Sequence, residues 1–193
     1  MVRASLAVDA EIAEALSRVA EEKRMTLYSL TNQLLKMSID LLRENLDIQD
    51  VKNLIKSYWV LRDIDAVVLP SDFMDSLIAD LYSRDRESLL KKFKQLGQDL
   101  GKYLKVYAET VEDLLQLAGI VSRFFPLKKL DVKYTSKGIY EVAVIGVGGR
   151  VESTQCVFEA VKGILEEYGV KILDHSLTKG LIKLRISGAQ AGI

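Results

Sequence analysis

The chain has 193 residues, of which 49% are hydrophobic and 28% charged, and its 27 basic and 27 acidic side chains leave no net charge. This composition is typical of a globular protein of one or two domains, and no apolar run reaches the length of a membrane span. One cysteine, Cys156, and one histidine, His175, exclude an internal disulfide and a metal cluster of several Cys and His ligands. These counts do not exclude a metal site built from carboxylates or a metal site shared between subunits. A single cysteine and no apolar leader predict a cytoplasmic protein.

The N-terminal segment Val2 to Val8 alternates apolar and other residues, which predicts a half-buried strand. Asp9 is a candidate N-cap for a helix over residues 11–23, and Thr26 is a candidate N-cap for a second helix reaching Leu42. One strand and two amphipathic helices cannot close a core alone. Two copies can do so by sharing the strand as a two-stranded ribbon, and such a ribbon fits the major groove of DNA.

Four more helices are predicted before the periodicity changes. Helical spacing and capping residues place them at about residues 48–60, 72–83, 86–107 and 111–125, the last one ended by Pro126. Most aromatic residues of this region are expected in the core: Tyr58, Trp59, Phe73, Phe93, Tyr103, Phe124 and Phe125.

The C-terminal third changes to the period of strands. Residues 130–134 and 139–147 form a predicted hairpin, a helix capped by Ser153 or Thr154 follows to about Tyr168, and residues 170–177 and 181–187 form a second hairpin. The predicted fold is therefore α+β: a strand-helix-helix domain over residues 1–46, and an α+β domain over residues 47–193 that ends in a strand-strand-helix-strand-strand antiparallel sheet.

The segment from Val2 to Leu42 resembles the ribbon-helix-helix repressors, the superfamily of Arc and MetJ. The shared features are the N-terminal strand, a helix ending in Val19-Ala20-Glu21-Glu22-Lys23, and the cap at Thr26. The likeness covers about a fifth of the chain. It implies a homodimer that binds double-stranded DNA, with two paired strands lying in the major groove.

The resemblance also implies the contact residues. Arg3, Ser5 and Ala7 would face the bases: Arg3 suits a bidentate pair with guanine, Ser5 can donate or accept, and Ala7 can only touch a thymine methyl. Phosphates would meet the turn between the helices and the free amides of the second helix, a set comprising Lys23, Arg24, Thr26, Leu27, Tyr28 and Ser29. No acidic residue lies between residues 23 and 39, so this side is mildly basic and a shallow salt dependence is expected.

The larger domain resembles, more weakly, the ligand-binding domains of the vinyl-reductase and NO-signalling/Golgi-transport type. The shared features are helices before a strand-strand-helix-strand-strand end and the small-residue spacing of Gly97 and Gly101. This resemblance implies a small-molecule effector. Those domains often carry paired cysteines near the C-terminus, which this chain lacks. The nickel sensors of other ribbon-helix-helix regulators need several histidines, and His175 alone cannot supply them.

The glycine turn at residues 146–149 precedes a helix, so Arg150, Ser153 and Thr154 are candidates for an anion site at a helix N-terminus. The same residues are also explained as the end of a hairpin followed by the cap of the next helix, and this explanation is favoured over an anion site. Cys156 is the remaining ligand candidate, although a small buried hydrophobe is the commoner role. No nucleophile-histidine-acid set and no phosphate loop is found, so neither an enzyme nor a cofactor is expected.

Three functions are compatible with these patterns. The first is a sequence-selective, homodimeric DNA-binding transcriptional regulator, controlled by a ligand in the larger domain. The second is a protein-interaction or antitoxin-like module. The third is a small-molecule-binding protein whose N-terminal segment only dimerises.

Overall fold

The computed structural model describes residues 5–122, 128–136 and 138–188. These residues form an α+β fold with seven helices and one four-stranded antiparallel sheet. The elements are α1 (Ala10–Glu22), α2 (Leu27–Arg43), α3 (Ile48–Asp63), α4 (Ser71–Arg84), α5 (Arg86–Leu104), α6 (Val111–Val121), β1 (Lys129–Ser136), β2 (Ile139–Val147), α7 (Val151–Glu167), β3 (Lys171–Thr178) and β4 (Gly180–Ser187).

The chain divides into two compact units, Met1–Lys52 (unit 1) and Asn53–Ile193 (unit 2). The division falls within α3, whereas the sequence places the domain boundary between residues 46 and 47. None of the described helices is both long and apolar enough to cross a membrane.

Local capping explains where most helices begin. The Oγ1 of Thr26 accepts a hydrogen bond from the amide of Ser29 at 3.1 Å, so the N-cap predicted for α2 is confirmed. Thr110 and Asp113 form the reciprocal capping box predicted for α6. Asp9 precedes α1, but its side chain makes no capping bond. The predicted end of α6 at Phe125 lies outside the described residues.

The sheet has the strand order β1-β2-β4-β3, with α7 connecting its two hairpins. The predicted strand-strand-helix-strand-strand end is therefore confirmed. One face of the central strands is buried against α6 and α7; its members are Tyr140, Val142, Val144, Ile182, Leu184 and Ile186. On the other face, the register aligns side chains of alternating charge across all four strands, Lys133, Glu141, Arg185 and Asp174. Such cross-strand pairs are favourable and suit a solvated face.

Helix α7 packs on the sheet and also against α5. Glycines allow this second contact, because a Cβ added at Gly97 would lie 1.9 Å from the carbonyl oxygen of Ala160, and one added at Gly163 would lie 2.3 Å from that of Lys94. Close backbone approach is a recognised use of glycine. The spacing of Gly97 and Gly101 therefore has a packing role.

The prediction that most aromatic residues are core residues is wrong for four of them. Tyr58, Trp59, Phe73 and Tyr103 are exposed, and Phe93 is partly buried. Phe124 and Phe125 lie outside the described residues. Helical periodicity correctly groups these residues on apolar faces, but those faces of α3, α4 and α5 do not point into the core of this single chain.

Candidate functional site

The N-terminal strand predicted from the sequence is not present in the described residues, which start at residue 5. Ser5 and Ala7 are exposed and belong to a segment without regular secondary structure, and the first element is α1. Arg3 lies outside the described residues. A strand whose hydrogen bonds go to a second copy has no partner within one chain, so the base-reading set of Arg3, Ser5 and Ala7 stays a prediction.

The turn between α1 and α2 carries the candidate phosphate contacts. Lys23 and Arg24 are exposed, and Arg24 adopts the left-handed conformation with a φ of 54°. The backbone then enters α2 at Thr26, whose carbonyl accepts the first helical bond from Leu30 at 3.0 Å. The amide of Ser29, which was expected to be free for a phosphate, is not free, because the Thr26 side chain already accepts its hydrogen bond.

Unit 1 leaves most of its apolar side chains uncovered. Only Ala20 of α1 and Leu30 of α2 are buried. The exposed set is larger and comprises Leu6, Val8, Ile12, Val19, Leu27, Leu34, Leu35, Met37, Ile39, Leu42, Leu46 and Ile48. An open groove of about 670 Å³ lies along α2, lined among others by Met37 and Leu41.

The glycine turn at the start of α7 was the candidate anion site in unit 2. The helix begins at Val151 with Arg150 as the N-cap residue, so the prediction that Ser153 or Thr154 caps it is wrong. The amide of Gly149 donates to a carboxylate oxygen of Asp75 at 2.5 Å, and Asp75 is only 7% exposed. The chain's own carboxylate therefore occupies the place where an external anion would be expected to bind.

Sequence reasoning missed Asp75. Its only signal was spacing, because Asp75 precedes Ile78 by three residues and Tyr82 by seven, which places an acid on the apolar stripe of α4. Gly148 beside it has a φ of 70°, and a Cβ there would lie 2.6 Å from that of Ser153. The tight turn and the buried carboxylate together fix the start of α7 against α4.

The two polar candidates inside α7 differ sharply. The hydroxyl of Thr154 donates its proton either to the carbonyl oxygen of Val147 at 3.1 Å or to that of Arg150 at 3.0 Å. The same hydroxyl accepts a hydrogen bond from the amide of Gly180 at 2.9 Å. It thus ties β2, α7 and β4 together. The hydroxyl of Ser153 is buried and has no hydrogen-bond partner among the residues that the structure describes. Arg150 is exposed, and its side chain makes no capping bond.

Cys156 is a buried packing residue, whereas His175 is exposed and packs through one ring contact. Cys156 is fully buried with Ile78 and Leu89, and burial raises the pKa of its thiol to about 11, which keeps it protonated and unreactive near neutral pH. The ring of His175 stacks on that of Phe158, with centroids 4.8 Å apart. In the part of the chain that the structure describes, no three His, Cys, Asp or Glu residues are placed to hold a metal ion.

A separate groove of about 350 Å³ lies between α6 and β1. Its walls are Leu115 and Val132, and its polar groups are Glu112, Gln116 and Tyr140. The hydroxyl of Tyr140 donates to the Glu112 carboxylate, and this bond raises the pKa of Tyr140 to about 12. Apolar walls with a few polar groups are typical of small-molecule sites, and the volume is at the lower end of their range.

No protein-family model matches the chain, and no curated protein matches it significantly. Its function is therefore inferred from its own residues and their geometry.

Proposed function

We propose that the protein is a sequence-selective, homodimeric DNA-binding transcriptional regulator of the cytoplasm. Unit 1 would pair with unit 1 of a second copy and read the major groove through a ribbon made from residues 2–8 of each chain. The observation that carries the proposal is the uncovered apolar surface of α1 and α2, which bury only Ala20 and Leu30 in the single chain.

Burial energetics explain why a second copy is needed. A unit of this size is marginal even when it buries most of its apolar surface, and fully burying one large aliphatic side chain contributes about 1.5–3 kcal/mol. Leu34, Leu35 and Leu42 are well exposed on α2, together with the rest of the apolar set given above. Covering them with the same surface of a partner would supply the missing core.

The DNA-facing side is proposed from charge and from the start of α2. Lys23 and Arg24 are exposed at the turn, and the positive end of the helix dipole at Leu27 favours a phosphate. The Ser29 amide is excluded from this role, since Thr26 accepts its hydrogen bond. Few cations per copy predict a shallow dependence of affinity on salt.

We propose the groove between α6 and β1 as the place where a small effector binds, in preference to the start of α7. The groove is open between Leu115 and Val132, whereas the turn before α7 already holds the Asp75 carboxylate. Because Glu112 lies in the groove, the effector would present a hydrogen-bond donor or a positive charge to it.

The decisive experiment selects bound sequences from a random DNA pool with the full chain, and then measures affinity by gel shift. Arg3→Ala removes one bidentate base contact from each half of the dimer, at about 1–3 kcal/mol each, and should therefore lower the affinity for a selected site by roughly 30-fold or more. The affinity for random DNA should fall much less. Arg18→Ala is the matched control, because Arg18 is an exposed arginine on α1.

Two results would contradict the proposal. The first is failure to enrich any sequence at low salt. The second is an equal effect of Arg3→Ala and Arg18→Ala, which would reduce the role of Arg3 to general charge. A stoichiometric protein partner without DNA binding would instead support the interaction-module alternative, and a small molecule bound without any DNA shift would support the third function.

A further inference from the structure

Helix α3 has two opposite faces, and both are apolar in character. Within unit 2, Ser57 and Val60 are fully buried and Leu61 is partly buried on one side. The opposite side carries four large side chains with exposed fractions of 50% for Leu54, 51% for Ile55, 59% for Tyr58 and 43% for Trp59. A helix at a protein surface normally presents polar residues to water.

The exposed side chains follow the spacing of a helix-pairing seam. Ile55, Tyr58 and Arg62 lie at i, i+3 and i+7, the spacing of the two core positions of a heptad repeat. Leu54 and Trp59 occupy the positions that flank such a seam. The buried Ser57 and Val60 occupy the positions farthest from it, so packing in unit 2 leaves the seam accessible.

At the end of the seam, the positive charge of Arg62 is balanced by the Asp63 carboxylate of the same chain. Arg62 lies over the ring of Trp59, 4.1 Å from its centroid, and its guanidinium donates to the Asp63 carboxylate at 2.8 Å. The Tyr107 hydroxyl also donates to Asp63. Two such ends can therefore approach each other without bringing two unpaired guanidinium groups together.

We propose that this face of α3 packs against the same face of α3 in a second copy, around a two-fold axis. The inference rests on the proposed homodimer, because α3 begins at Ile48 in unit 1, so two copies joined through unit 1 hold their α3 helices at a high effective concentration. An isologous pair places the same patch on both sides, so the exposed apolar side chains of α3 in one copy would pack against the same side chains in the other.

The area that this face of α3 could bury fits a second contact between two copies that already pair through unit 1. The four exposed fractions together equal about two fully exposed large side chains, on the order of 400 Å² per copy. A stable interface buries roughly 1,200–2,000 Å² in total. The α3 pair would therefore bury about half of that area, so its formation would depend on the dimer proposed for unit 1.

Disulfide trapping of the full chain tests the pairing. Cys156, the only native cysteine, is fully buried, so a new cysteine on α3 is the only accessible thiol among the described residues. Mild oxidation should join two copies of Tyr58→Cys or of Ile55→Cys, since facing core positions lie within disulfide reach. Lys56→Cys is the control, because Lys56 is exposed but lies outside the seam, and it should stay uncrosslinked.

Trp59 gives an independent readout, because it is the only tryptophan of the chain. In the dimer its fluorescence should be protected from acrylamide, and Ile55→Lys should raise the quenching constant at least twofold, while Lys56→Ala should not. Failure of both cysteine variants to crosslink would overturn the pairing, and so would Trp59 protection that persists in Ile55→Lys.

The outcomes separate this inference from the proposed function. Crosslinking at Tyr58→Cys without DNA binding would support the α3 pair and overturn the DNA-binding proposal. A DNA-bound dimer in which neither cysteine variant crosslinks would overturn the α3 pair alone. A chain that sediments as a monomer at high concentration would overturn both.

Discussion

The close packing of α5 on α7 predicts that replacing Gly97 by alanine lowers the stability of the fold. A Cβ added at Gly97 would lie 1.9 Å from the Ala160 carbonyl oxygen, and backbone on both sides leaves no flexible side chain to move. Overpacking of this kind costs about 1–3 kcal/mol, and the separation of a whole helix pair places Gly97→Ala at the upper end. Each 1 kcal/mol lowers the Tm by about 2–4 °C in a chain of this size, so we expect a fall of about 5–12 °C.

The matched control is Gly119→Ala. Gly119 is an exposed glycine within α6, and a Cβ there would meet nothing within 4 Å. The substitution should raise the free energy of unfolding by about 0.5–1 kcal/mol, because alanine favours a helix more than glycine does. Scanning calorimetry of the full chain measures both variants. A Tm for Gly97→Ala equal to or above that of the wild type would refute the close packing of α5 and α7.

Three further outcomes follow from buried or paired groups. Thr154→Val should lower the free energy of unfolding by about 1–3 kcal/mol, since the partly buried amide of Gly180 loses its acceptor. Ser153→Ala should be neutral or stabilising, because that hydroxyl has no partner among the described residues. Urea denaturation compares the two variants, and equal effects would contradict the bonding described. Lys94 lies 2.8 Å from Glu166 and holds the pKa of Glu166 below its usual 4.5, so the stabilisation from this pair should be present above pH 4.5 and lost as pH falls through the lowered pKa. Glu166→Gln should therefore lower the Tm more at pH 7 than at pH values well below 4.5, and a difference that stays constant as the pH falls would count against the pair. The Cys156 thiol, with a pKa of about 11, should react with a thiol reagent at pH 8 only after denaturation, and rapid labelling of the folded chain would show that the thiol is accessible.

Local sequence determined the elements of this protein. Thr26 caps α2, Thr110 and Asp113 cap α6, and the change of period after α6 marks the two hairpins around α7. These features depend on residues a few positions apart, so hydrogen bonding and side-chain alternation within one segment are sufficient to specify them. The α+β class and the order of strands and helices in the C-terminal part follow from the same local signals.

Tertiary structure decided the surroundings of those elements. Asp75 fills the glycine turn before α7 from a distant helix, and no local pattern of residues 146–154 shows that an acid from α4 lies there. Likewise, the periodicity of α3 identifies an apolar face containing Tyr58, but only the fold shows that Val60 and not Tyr58 is buried in unit 2.

The physical reason is that periodicity reports which side of an element avoids water, while burial depends on what reaches that side. For α7 the covering surface comes from elsewhere in the same chain, through Gly97 of α5 and the sheet. For the exposed faces of α2 and α3, the described residues of one chain supply no cover. The sequence thus determined that these faces are apolar, and the tertiary structure decided which of them remain for another surface to bury.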